Sequence, residues 1–161
     1  MDRSEFKKLT YREKLNFLKQ EGYDVKKEYP SPQALTDKQI MEMKPTVDFQ
    51  AHTMFHPYLS SCSDSEAEYE IRESKEVLQK KYGLDVNAFS YPIGDYSERE
   101  INFVKEAGFE CALTVDCGFN DIETDPFRLR RLSVNDTDDK YELLVKASGV
   151  WAYVRNIFSK N

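Results

Sequence analysis

Residues 86–115 read VNAFSYPIGDYSEREINFVKEAGFECALTV. VNAFSY is a short apolar run of the kind that forms a buried strand, and Pro92 and Gly94 stop it. Ser97 stands where a helix cap belongs, with Glu100 three residues on, so SEREINFVKEAG predicts a helix closed by Gly108. CALTV resumes strand character. A strand, a helix and a second strand in this order predict two parallel neighbours of one sheet, because the crossover returns the chain to the same end.

Working outward, SDSEAEYEIRESKEVLQKKYG (residues 63–83) is the strongest helix of the chain. Ser63 or Ser65 can cap it, acids fill its first turn, lysines its last, and Gly83 ends it. TVDFQAHT (46–53) alternates like a strand, and FRLRRLSV (127–134) predicts another after the loop DCGFNDIETDP. Upstream, TYREKLNFLKQ places Leu15, Phe17 and Leu18 on one helical face behind a Thr10 cap. LTDKQIMEM predicts a short helix, with Thr36 and Gln39 at capping-box spacing. GYDVKKEYPSPQ reads as loop, since Pro30 and Pro32 block regular structure. The tail predicts one or two helices, DKYELLVKAS and GVWAYVRNIF. The order strand, helix, strand, helix, strand, strand predicts an α/β domain: a mainly parallel sheet covered by helices.

The bulk composition narrows the function classes. The chain has 161 residues, enough for one domain with a proper core, and its 40% hydrophobic content is that of a globular protein. A net charge of −6 without a basic run argues against nucleic acid or an anionic membrane as partner. No apolar stretch reaches the roughly 20 residues of a membrane span, and the start MDRSEFKKLTYREK lacks the apolar middle of a signal peptide; a cytoplasmic location is the expectation. Cys62, Cys111 and Cys117 are odd in number and show no CxxC spacing, so they read as free thiols.

In parallel sheets functional groups gather after the carboxyl ends of strands. Three successive strand ends carry suitable residues: His52 and His56; Pro92, Gly94 and Asp95; Asp116 and Asn120. AHTMFHP (51–57) holds both histidines of the chain. It lacks the glutamate of an HExxH peptidase, and Pro57 keeps it out of a long helix. Two imidazoles in a turn can converge on zinc, yet a catalytic zinc usually has three protein ligands. The spacing alone leaves metal ligation and two satisfied, partly buried histidines both open.

AHTMFHPYLS followed by a helix, then FSYPIGDYS, AGFECALTVDCGFN and FRLRRLSV, resembles the polysaccharide deacetylase family (carbohydrate esterase family 4). The likeness runs in order from about Leu35 to Val134, within one domain spanning 1–161. It implies a partial, distorted (β/α)7 barrel, and an enzyme that removes acetyl groups from N-acetylated sugars with a divalent metal, expected to be zinc. It implies that His52 and His56 are metal ligands, that Thr53 orients the loop presenting His56, and that the backbone N–H of Ile93 lines an oxyanion hole. It also implies that Tyr91, Pro92 and Gly94 border the substrate.

The sequence departs from the family pattern at three places. No strand before His52 ends in Asp-Asp-Gly, which supplies the base and third metal ligand in the family, so an N-terminally incomplete barrel is expected. Ser90 stands where many members carry arginine; Arg130 or Arg131 could supply a cation, or could simply be a solvated strand face. No histidine follows His56 to act as general acid. Asp95 and Asp116 are candidate substitute carboxylates, although aspartate is equally a turn residue. Two other readings stand beside the enzyme. One is a half-barrel that needs an upstream-encoded fragment or self-association. The other is a sugar-binding module using Tyr58, Tyr91, Tyr96 and Phe119, which are as readily core residues.

Overall fold

The computed structural model describes residues 5–6, 9–24, 34–133 and 140–150. Five helices are defined within them: α1 (Tyr11–Gln20), α2 (Asp37–Met43), α3 (Asp64–Tyr82), α4 (Glu98–Glu106) and α5 (Lys140–Ala147). Three strands, β1 (Ala88–Ser90), β2 (Cys111–Cys117) and β3 (Leu129–Arg131), form one sheet in the order β1-β2-β3, and both pairings are parallel. The expected α/β architecture is therefore observed. The loop expected over residues 22–33 and the expected final helix GVWAYVRNIF fall largely outside the described residues.

Helix limits follow the caps. Thr10, Thr36, Ser63 and Ser97 each close a capping box, with Glu13, Gln39, Glu66 and Glu100 respectively. In each box two orphan N–H groups of the first turn find acceptors. Gly83 ends α3 in the left-handed conformation at φ 60°. The core lies where α3 and α4 meet the sheet, and its largest buried side chains include Tyr91, Phe89, Leu59, Ile71 and Ile101.

The strands depart from expectation. Residues 46–53 make no regular strand: Ala51 alone bridges Phe89, in parallel, through Ala51 N–H to Ala88 O at 3.2 Å and Ser90 N–H to Ala51 O at 3.0 Å. Two features cut this strand short. Gln50 Oε1 accepts the N–H groups of Asn87 (3.0 Å) and Ala88 (2.8 Å), so an amide side chain takes the place of a backbone ladder. Thr53 then turns into positive φ (62°), which ends extension. Strand β1 is shorter than VNAFSY, and β2 is longer than CALTV, so Asp116 lies within β2 and not in the loop after it. Strand β3 begins only after a 3-10 turn, Pro126–Arg128, where the Asp125 carboxylate accepts the Phe127 N–H at 2.9 Å.

Candidate functional site

Ala51, β1 and β2 are parallel neighbours, so their carboxyl ends lie side by side. The histidines stand at the first of these ends. His52 Nδ1–H donates to the Ser90 carbonyl at 2.7 Å, and since a carbonyl can only accept, the bond fixes the tautomer. In the neutral ring Nε2 then keeps its lone pair, the arrangement a metal-ligating imidazole uses. The two rings meet edge to face with centroids 4.8 Å apart, and both residues are exposed.

The arc between the rings is tightly built. Thr53 and His56 both have positive φ (62° and 54°), a conformation non-glycine residues adopt at a cost. Thr53 Oγ1 accepts the His56 N–H at 3.0 Å. Glu70, wholly buried on α3, accepts the N–H groups of Met54 and Phe55 through one oxygen, each at 2.9 Å, and the Tyr11 hydroxyl through the other at 2.7 Å. Burial, reinforced by the Glu70 bond, pushes the Tyr11 hydroxyl far above its ordinary range, which keeps it a donor. Burial and then the Glu70 and Glu66 carboxylates push the Cys62 thiol up to about 12, which keeps it protonated.

Behind the arc, Asp95 Oδ2 accepts the Ser60 N–H at 2.8 Å and so ties the turn after β1 to the loop after the histidines. Arg99 reaches the Leu59 and Cys62 carbonyls at 2.7 and 3.1 Å and also binds Glu100, which is wholly buried.

At the second strand end, Ile93 has φ 61° and is half exposed, and Gly94 follows at φ 73°. A Cβ on Gly94 would lie 2.2 Å from Val115 Cγ2, so only glycine lets this turn pack on β2. Tyr91 and Pro92 are buried: the Tyr91 hydroxyl donates to Phe127 O at 3.1 Å, and its ring stacks on Tyr96 at 4.5 Å. This turn can face a substrate with its backbone and Ile93, while the Tyr91 side chain belongs to the core. At the third end, burial and then the nearby Asp116 carboxylate push the Tyr96 hydroxyl upward. Asp116 thus approaches Tyr96, and Asp95 serves Ser60. Among the described residues no third His, Cys, Asp or Glu joins the histidines in a cluster able to hold a metal. Arg130 and Arg131 are exposed on β3, and Asn120 pairs with both backbone groups of Arg130, each at 2.9 Å. The cavity lined by Lys44–Phe49 and Leu84 precedes the strands, at their amino ends, and is not this site.

Glu70, Arg99 and Gln50 were not expected from the sequence. Glu70 had a readable signal: it falls on the inward stripe of α3 beside Ala67, Ile71 and Ser74, and a charged residue on a buried stripe must have partners.

The polysaccharide deacetylase family profile matches residues 14–112, more than half of the chain. The chain belongs to the polysaccharide deacetylase family. Members are hydrolases acting on carbon–nitrogen bonds other than peptide bonds. The chain is similar to YxkH of Bacillus subtilis, which carries the polysaccharide deacetylase name, with 24% identity over 102 residues, covering 63% of this chain and 37% of that protein. Among solved structures it is similar to the Streptococcus pyogenes deacetylase PplD, solved in complex with acetate, at a TM-score of 0.67 and 27% identity over 73% of this chain and 52% of that one. It is also similar to BC0361, a polysaccharide deacetylase from Bacillus cereus, at a TM-score of 0.65 and 20% identity over 86% of this chain and 48% of that one. The chain thus has the α/β fold of these deacetylases and spans between about a third and a half of their length. Among the described residues no helix is long and apolar enough to cross a membrane.

Proposed function

We propose that this chain works in a metal-dependent N-deacetylation of an N-acetylated carbohydrate, with His52 and His56 as metal ligands. The carrying observation is the fixed tautomer of His52, which leaves Nε2 for a cation beside the His56 ring. The donor set fits zinc in kind, since neutral imidazole suits it, and supplies two of the three protein ligands a catalytic zinc usually has. A bound metal would supply Lewis acidity toward an amide carbonyl and a more acidic water.

The chain's own groups have distinct tasks. Ser90 O and Thr53 orient the imidazoles. The turn N–H groups of Gly94 and Asp95 are taken by Tyr91 O (3.1 Å) and Pro92 O (2.9 Å), which leaves that of Ile93 for the oxyanion of a tetrahedral intermediate. Gly94 admits the close approach such a contact requires. Asp95 works as a turn residue through Ser60, and Asp116 is the remaining carboxylate candidate for a proton-transfer role at a strand end.

The count of two donors among the described residues favours one second reading, in which a partner chain completes the site and supplies further carboxylates. Metal content and acetate release from N-acetylglucosamine oligomers test both. The first reading expects about one zinc or cobalt per chain, lost in His52→Ala and His56→Ala, and acetate released by the loaded protein. Metal retention without acetate release favours the completed-site reading, and sugar binding without metal would leave a binding module. If the protein takes up neither zinc nor cobalt, both metal readings fail.

A further inference from the structure

The fully buried carboxylate of Glu70 touches neither histidine, yet it holds the middle of the arc that separates them. We infer that Glu70, latched by Tyr11, is the positioning residue that sets the distance and angle between the His52 and His56 rings. The inference rests on the reading of those histidines as metal ligands.

Three contacts define the arc. His52 is tied to Ser90 O, and Thr53 Oγ1 accepts the His56 N–H. Glu70 Oε2 accepts both N–H groups lying between them, Met54 and Phe55, each at 2.9 Å. The first two contacts fix the ends of the arc, and only the third fixes its centre. The arc needs holding, because Thr53 and His56 are both in left-handed backbone conformations that non-glycine residues leave readily. One oxygen receiving two successive N–H groups removes the rotation of the intervening peptide plane, as an anion does in a backbone nest. The other oxygen receives the Tyr11 hydroxyl at 2.7 Å, so the carboxylate is held from α1 as well as from its own helix. With Glu70 truncated, the two N–H groups would turn to water, the left-handed residues would relax, and the rings would lose their common target.

The experiment uses the full chain with Co(II) alone as probe. It compares wild type with Glu70→Ala, Glu70→Gln, Tyr11→Phe and the neighbouring buried control Ile71→Ala. Cobalt affinity is read from the ligand-field spectrum against a competing chelator, and amide hydrogen exchange at Met54 and Phe55 is read in the metal-free protein. Loss of a group that orients a ligand typically costs metal affinity about tenfold or more, and that is expected for Glu70→Ala. Its Met54 and Phe55 amides should exchange faster. Glu70→Gln keeps an acceptor oxygen and should recover most of both properties, while Tyr11→Phe should shift both slightly in the same direction. Ile71→Ala should lower the melting temperature and leave cobalt affinity and these two amides unchanged. Equal affinity losses in Glu70→Ala and Ile71→Ala would overturn the inference. So would unchanged exchange at Met54 and Phe55 in Glu70→Ala, or in Tyr11→Phe should the alanine variant not fold. If the wild type binds no cobalt, the metal reading fails, and the exchange rates alone decide whether Glu70 sets the arc.

Discussion

At the scale of single residues, Gly94 shows how little freedom the turn after β1 allows. Its φ of 73° is left-handed, and a methyl group there would meet Val115 Cγ2 at 2.2 Å. Gly94→Ala is expected to cost about 3 kcal/mol, combining overpacking of about 1–3 kcal/mol with about 1 kcal/mol of backbone strain. In urea unfolding, the double variant Gly94→Ala/Val115→Ala should cost less than the sum of its parts, because the clash vanishes while the strain stays. A Gly94→Ala loss below about 1 kcal/mol would show that the turn relaxes at no cost. The glycine was legible in YPIG; the neighbour that forbids its replacement was not, since Val115 lies on another strand. The same holds for His52: its spacing from His56 was plain in AHTMFHP, but the Ser90 carbonyl that fixes its tautomer is a contact across the sheet.

At the scale of elements, capping chemistry decided the helices and side chains displaced the strands. Thr10, Thr36, Ser63 and Ser97 begin their helices as their local spacing predicts, because a cap is satisfied within four residues. The run TVDFQAHT failed as a strand because Gln50 takes the N–H groups of Asn87 and Ala88, and pattern alone carries no trace of that. Arg99 on α4 joins the elements: it binds Leu59 O, Cys62 O and Asp64, and it is the cation beside the buried Glu100. Removing it leaves a buried carboxylate without its counter-ion, so Arg99→Ala should destabilise by about 3 kcal/mol in chemical denaturation. Arg99→Lys should recover little, because an ammonium cannot fork to two carbonyls and two carboxylates. Full rescue by lysine would mean that charge alone matters at this position.

At the scale of the whole molecule, the balance of carboxylates sets the acid limit. Burial pushes Glu100 up, but the Ser97 hydroxyl and Arg99 outweigh it and hold the carboxyl below its ordinary 4.5. Glu66 is held low by the Ser63 N–H and hydroxyl, and Asp37 by Lys81 and Tyr82. The unfolded chain therefore binds more protons than the folded one as pH falls from the ordinary carboxylate values. The contribution of these groups is fully present above about pH 5 and disappears as pH falls through the lower folded values. Melting temperature should be flat from about pH 7 to 5 and then fall steadily toward about pH 3. A melting temperature that stays constant to about pH 3 would mean that these caps and ion pairs form equally well in the unfolded chain.

The sequence by itself determined the α/β class, the helix limits, the parallel order and membership of the deacetylase family, because periodicity, capping and short motifs act over a few neighbouring residues. It also put two histidines, a YPIG turn and an aspartate at three successive strand ends. Only the tertiary structure decided that Tyr91 is core, that Asp95 caps Ser60, and that the histidine arc hangs from Glu70 and Tyr11. Each of these depends on a partner 15 to 59 residues away along the chain or on burial against other elements, and no local pattern encodes such a pairing.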